Sequence, residues 1–289
     1  MEDGKVSRIG LLGLLAATSL LAGAPVWAQE VVPPVREPRP VDGPRPPPPT
    51  PAQIAAREKQ AAEDSKAWNA NPGPKDPKDF SGVWWATRYI RDYRQLDGSL
   101  PPFTKKGAEA ANHRTEMLDK GTPVPDASSQ CYPNGVPRVM TSPYPLQIMY
   151  APGVINMLIE VGHGFRQIHM DGKPPPPNTP HTFNGYSVGH WEGDTLVIVT
   201  THRNDRTVID QTNLSHGSQL KVTERYTKFV DKYGGLNFRD TMTIEDPEYY
   251  SRPWQTERIF NWRGDVKLME YSCEENNRNA AEDGVVGIQ

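Results

Sequence analysis

Cysteine is almost absent from this chain. Its 289 residues include two, Cys131 and Cys273, and neither belongs to a Cys-x-x-Cys pair. That argues against thiol redox catalysis and against a cysteine-built zinc site. Other signatures are missing as well: His-x-His, His-Glu-x-x-His and a glycine-rich phosphate loop do not occur. Metal hydrolysis and nucleotide binding therefore lack their usual marks. Gly185-Tyr186-Ser187-Val188-Gly189 spells Gly-x-Ser-x-Gly, but it sits inside an expected β-hairpin with no helix following, so it reads as neither a nucleophile elbow nor a dinucleotide loop. The formal net charge is -3 and no basic patch stands out, so no nucleic-acid partner is expected. The apolar run from Ile9 to about Ala22 is too short for a transmembrane span. No internal repeat stands out.

That same run has the character of a secretory signal. Lys5 and Arg8 precede it, and Val26 and Ala28 stand at the −3 and −1 positions of a cleavage site before Gln29. The expected locale is the periplasm or the exterior. Two cysteines fit such an oxidising compartment. A Cys131–Cys273 bridge would close a loop of over a hundred residues; the alternative is two buried free thiols.

Proline is abundant between Val31 and Pro51, which reads as an extended mobile tether unable to bury a core. The expected organisation is a signal peptide over 1–28, a proline-rich linker over 29–51, a helix and second linker over 52–78, one barrel domain over 79–277 and a flexible tail over 278–289. Ala52 to Trp68 has good helix formers. Thr104 caps a second helix, Lys105 to Lys120, that Gly121 and Pro123 end. It interrupts the sheet after a first strand at Gly82–Tyr89. Further strands are expected near 146–150, 154–160, 165–170, 184–191, 195–201, 220–229, 236–245, 254–261 and 266–273. Tight turns such as Glu192-Gly193-Asp194 join them. About ten strands in an antiparallel meander best satisfy their edges by closing into an all-β, up-and-down barrel.

Four of these strands break an apolar stripe with a single ionisable residue. At period two, Leu220, Val222, Glu224 and Tyr226 share a face. So do Leu236, Phe238, Asp240, Met242 and Ile244; then Trp254, Thr256, Arg258, Phe260 and Trp262; then Val266, Leu268, Glu270 and Ser272. Folding each hairpin about its turn sets Glu224 opposite Asp240, Asp240 opposite Arg258, and Arg258 opposite Glu270. A hairpin about His163 sets Glu160 opposite Arg166. One about Gly193 sets Tyr186 opposite Thr200 and His190 opposite Leu196, turning Tyr186 and His190 inward. Interior charges cost several kcal/mol each unless paired or used.

Ser81-Gly82-Val83-Trp84 is similar to the Gly-x-Trp of lipocalins and other calycins. That resemblance implies a barrel plugged at one end by Trp84, with Arg258 as the late-strand basic residue covering it. A broader resemblance covers most of the chain: it looks like an exported bacterial β-barrel family. It rests on Cys131-Tyr132-Pro133, Pro143-Tyr144-Pro145, Asp171-Gly172, Trp191-Glu192-Gly193-Asp194-Thr195-Leu196-Val197, Val222-Thr223-Glu224-Arg225, Pro253-Trp254, Glu270-Tyr271 and Cys273-Glu274. In that pattern a His often follows Asn-Gly, where this chain has Tyr186. The resemblance implies fold and export, and supplies no reaction.

Crowded carboxylates cannot all ionise cheaply, and a neutral carboxyl beside an ionised one suits general acid/base work. The expected function is a cofactor-independent lyase, isomerase, hydratase or hydrolase acting on a small hydrophobic or aromatic molecule. Glu224 and Asp240 would be its acid/base pair, Arg258 and Arg166 its anion stabilisers, and Glu160, Glu270 and Tyr186 orienting groups. Trp84, Trp254 and Phe238 would supply apolar walls. His216, in a loop before the Glu224 strand, would be a further base or an ordinary solvated histidine. No metal or cofactor is expected; His163, His169 and His190 are the least poor ligands. Two alternatives stay open: a non-catalytic ligand carrier, and charges that merely satisfy one another.

Overall fold

The computed structural model describes residues 31–36, 50–68, 71–122, 127–212 and 214–273. The expected signal peptide, most of the proline-rich linker and the tail fall outside them.

Helix α1, Pro51–Trp68, is mostly solvent-facing. Strand β1, Gly82–Ala86, is followed by a long excursion carrying helix α2, Lys105–Asp119. The Thr104 hydroxyl accepts the Gly107 amide at 3.1 Å and so caps α2. The sheet continues with β2 (Leu146–Ala151), β3 (Val154–Ile159), β4 (Gly164–His169), β5 (Tyr186–Glu192), β6 (Thr195–Thr201), β7 (Lys221–Val230), β8 (Leu236–Glu245) and β9 (Trp254–Trp262). Neighbours in sequence pair throughout, and β9 returns to β1, closing an all-β, calycin-like barrel.

Nine strands rather than ten close the ring, and the odd number has a geometric consequence. Strand direction must reverse an even number of times around a closed circuit, so an all-antiparallel barrel of nine is impossible. The exception falls between β4 and β5, which pair in parallel (Ile168↔Ser187, His169↔Val188) across the connection at 170–185. The expected strand at 266–273 does not form. Trp84 pairs with Trp262 and Ala86 with Phe260, so the edge a tenth strand would have used is occupied. After a turn held by an Arg263–Asp265 ion pair at 2.7 Å, the chain runs outside the barrel to Cys273.

Gly82 shows why the first strand opens on glycine. A Cβ there would lie 2.1 Å from the Trp262 ring, and its φ is +111°. Close approach of the last strand to the first thus requires a residue without a side chain. Trp84 is fully buried and donates from Nε1 to the Phe80 carbonyl at 2.7 Å. Phe80 itself packs against Trp84, Tyr226 and Phe238. Lys228 fixes this end by donating to the carbonyls of Pro74, Asp76 and Asp79 at 2.7, 2.6 and 2.8 Å. The linker before β1 is therefore a barrel cap.

The excursion between β1 and β2 fills the interior. Tyr93, Val136 and Met140 are each 1 % exposed and belong to the main core. The linker reading also needs correction at its described part. Asn112 on α2 accepts the Arg36 amide at 2.8 Å and donates to the Pro34 carbonyl at 2.9 Å, so residues 34–36 are docked rather than free.

Cys131 and Cys273 form a disulfide with Cα atoms 5.6 Å apart. It ties the excursion to the segment after β9 across 142 residues of sequence. On the chain-entropy account a loop this long is worth roughly 4–5 kcal/mol. The Cys131→Ala/Cys273→Ala double variant should melt well below the parent in non-reducing calorimetry. Equal midpoints would mean that the bridge leaves the unfolded chain unconstrained.

Candidate functional site

The alternating pattern of β7, β8 and β9 holds. Glu224, Asp240 and Arg258 all point inward, at 0, 0 and 4 % exposure. Asp240 pairs directly across from Arg258. Glu224 does not face Asp240: the β7–β8 register sets it opposite Met242, and Tyr226 opposite Asp240. The offset is two residues, so inward residues stay inward.

Glu224 instead meets Arg166 from β4. Arg166 Nη1 donates to Glu224 Oε1 at 3.0 Å and Nη2 donates to Oε2, a bidentate pair. Ser187 on β5 accepts from Arg166 Nε at 3.1 Å, and Thr200 on β6 accepts from Nη2 at 2.7 Å. The Tyr226 hydroxyl donates to Glu224 Oε1 at 2.9 Å. Burial works against the Arg166 cation, but the charge and hydrogen bonds of Glu224 outweigh it and raise the guanidinium pKa.

Asp240 and Arg258 are held differently. Neither Asp240 oxygen has a hydrogen-bond partner, and both are buried. Burial first, then the nearby charge of Glu224, pushes this carboxyl well above the usual carboxylate range, against the opposing pull of Arg166 and Arg258. Arg258 donates from Nε to the Met140 carbonyl of the excursion at 3.1 Å, while its Nη2 is buried without a partner. Burial lowers its pKa. Tyr93, also from the excursion, lies close enough for its hydroxyl to be influenced by Arg258 and Asp240; burial raises its pKa. Arg258 therefore does not serve as the expected cover for Trp84. Trp84 packs edge-on against Trp262 at 5.4 Å and Phe238 at 4.9 Å.

Several expected site residues lie elsewhere. The β5–β6 turn has two residues, Gly193 and Asp194, with Glu192 opposite Thr195. Every pair on this hairpin shifts by one from the expected register, which reverses the faces. Ser187 and Gly189 point inward. Tyr186 pairs with Thr201 and stacks on His169 at 4.4 Å; His190 pairs with Val197, is exposed and bonds Glu192 at 3.1 Å.

A similar slip affects β3 and β4. Val161–His163 forms a short 3-10 turn, so Ile159 opposes Gly164 and Met157 opposes Arg166. Glu160 is left outside the strands, where Oε2 accepts the Met269 amide at 2.8 Å. His163 ends that turn. Glu270 is exposed and far from the expected partnership with Arg258, because its strand does not form. Trp254 and Phe238 are buried in the core as expected.

His216 is neither solvated nor at an open mouth: it is 2 % exposed. Its Nδ1 lies 2.9 Å from the Gly217 carbonyl, and Nε2 lies 2.9 Å from the Thr207 hydroxyl. A carbonyl can only accept, so Nδ1 carries the proton and Nε2 accepts from Thr207. Thr207 in turn accepts from Arg203 Nη2. Arg203 is fully buried and also donates to the carbonyls of Phe183, Asn134 and Val136. This network had no local signature. Ser187 and Thr200, by contrast, emerge once the Gly193 turn is counted as two residues.

Two wide clefts lie on the outer surface. One, of about 490 Å³, is lined by Gln95, Asp97, Arg252 and Gln255 among others. The other, of about 700 Å³, is lined by Lys78, Gln147, Tyr150 and Trp191 among others. Neither is lined by Glu224, Arg166, Asp240 or Arg258.

Compared with protein-family models, curated proteins and solved structures, the chain matches none.

Two outcomes are expected from this geometry. Removing one partner of a buried ion pair strands the other, at about 3–5 kcal/mol. Arg166→Met and Glu224→Gln should each lower stability by that order in urea unfolding, and the double variant should lose less than the sum; additive losses would mean the pair is uncoupled. His216 supplies a pH dependence. Burial, then Arg203, depresses its pKa from 6.5 to about 3. A depressed folded-state value gives stability that is full above the unfolded pKa and lost as pH falls through the folded one. The window therefore runs from about pH 6.5 down to about pH 3, and the loss reaches roughly 4–5 kcal/mol. His216→Gln should show a shallower acid loss between about pH 7 and about pH 4; identical slopes would refute the assignment.

Proposed function

We propose that this is an exported barrel, of the bacterial family its motifs resemble, that processes a small apolar molecule by acid/base chemistry. Export is supported by the charged-then-apolar start of the sequence and by the disulfide, a bond of oxidising compartments. One observation carries the chemistry: Asp240 is a fully buried carboxyl with no partner at either oxygen and a raised pKa, one strand away from the ion-paired Glu224. Nearby carboxyls in two such unlike environments suit separate acid and base roles.

In this reading Asp240, its pKa raised by burial, is the group that delivers a proton to bound substrate. Arg258 Nη2 steadies the negative charge that develops. Glu224 is anchored by Arg166 and Tyr226 and acts through the field it sets around Asp240. Phe238 and Phe260, whose rings stack at 4.8 Å beside this layer, form the apolar wall. No group from outside the chain is needed for these proton movements.

A carrier reading is favoured by the Arg166–Glu224 pair, whose charges are satisfied within the protein. The two readings separate on turnover. Purified protein incubated with a bacterial metabolite extract should deplete at least one small apolar compound and form its product, as followed by mass spectrometry. Asp240→Asn, which cannot release a proton, should lower that rate by at least about a hundredfold. Retention of a compound without conversion would establish the carrier instead.

A further inference from the structure

Charge pairing in the lumen is uneven. Four ionisable side chains meet in its middle layer: Arg166, Glu224, Asp240 and Arg258. Arg166 and Glu224 cancel, with every contact of the pair made inside the protein. Asp240 and Arg258 are cross-strand neighbours, yet they form no ion pair. Arg258 spends Nε on a neutral carbonyl and keeps Nη2 free, while Asp240 presents two free oxygens. A buried guanidinium with an unpartnered donor thus stands beside a carboxyl with two unpartnered oxygens. Satisfied structural pairs look like Arg166 and Glu224 instead.

We infer that Arg258 and Asp240 together seat the carboxylate of a small apolar monoacid. Arg258 Nη2 donates to one carboxylate oxygen, and the Asp240 hydroxyl donates to the other. Net charge supports one negative unit, because one guanidinium is uncompensated once Asp240 carries its proton. A dianion would leave a buried charge unpaired, and an amine would face Arg258. The apolar remainder follows from the neighbours: Phe238 and Phe260 stand two residues from Asp240 and Arg258 on the same strands and share their inward face. Met140 and Tyr93 cover the layer from the excursion. The inference takes the proposed small-molecule reading and specifies its substrate class.

Benzoate, benzamide and benzylamine share a ring and differ in charge, which makes them suitable probes for the full chain. Benzoate should raise the thermal midpoint by about 3 °C or more at saturation, and the amide and amine should not. Arg258→Met should abolish the shift. Equal shifts from all three compounds, or none from benzoate, would overturn the inference.

If Arg258→Met does not fold, the pH profile decides. Asp240 faces Glu224 and Tyr226 from β7, Arg258 from β9, Arg166 from β4 and Tyr93 from the excursion. Benzoate stays ionised from about pH 5 upward, so a loss of affinity in that range reports the protein. Wild-type affinity should fall at least about tenfold towards about pH 10, while Asp240→Asn, which keeps a donor without a proton to lose, stays flat. A wild-type profile no steeper than that of the variant would overturn it. Turnover of a metabolite with no benzoate effect would refute the acid seat and leave the enzyme reading standing. Benzoate binding without any turnover would do the reverse.

Discussion

The bidentate contact between Arg166 and Glu224 organises the middle of this barrel. It reaches from β4 to β7 across the lumen and recruits β5 and β6 through Ser187 and Thr200. Four strands are thus joined by side chains as well as by the backbone ladder. A buried pair of this kind is seldom a net source of stability, since desolvating two ions offsets their attraction. Its stronger effect is on what surrounds it. Glu224, once committed to Arg166, contributes negative potential to its neighbourhood, and that potential adds to burial in raising the Asp240 pKa. Among the described residues, Arg258 then forms no ion pair. One tight pair therefore leaves a second, cross-strand pair open.

The three long C-terminal strands were legible in the sequence because each alternates over nine or ten residues, with one ionisable residue on an otherwise largely apolar inward face. Misjudging the β7–β8 turn by two residues left the inward set intact. The β5–β6 hairpin tolerated no such error: one residue in the turn count exchanged Tyr186 and His190 for Ser187 and Gly189. Strands this short have few apolar positions to fix their register. The partnership of Arg166 with Glu224 joins strands that are not neighbours, and no hairpin arithmetic reaches it.

The excursion between β1 and β2 was the least readable part. Its prolines and scattered aromatics lack period, yet Tyr93, Val136 and Met140 complete the core. They are held from outside by the loop after β6. Asp210 accepts the Tyr93 amide at 2.8 Å, and Gln211 bonds both Thr141 and the Arg91 carbonyl. Burial raises the Asp210 pKa, against the hydrogen bonds it accepts. Sequence-local rules miss such a plug because its residues are selected by a cavity built from strands far away in the chain.

The parallel join between β4 and β5 bears on how the barrel moves. Only two residue pairs define it, against ten between β7 and β8. The circumference therefore has a weak seam, and thermal breathing is expected to start there, with amide exchange fastest along its rim. Arg166 and Ser187 sit on its two sides and are tied to each other at 3.1 Å, so the central ion pair also acts as the stitch across this seam. Parting it would bring water to a cation that is ion-paired at rest.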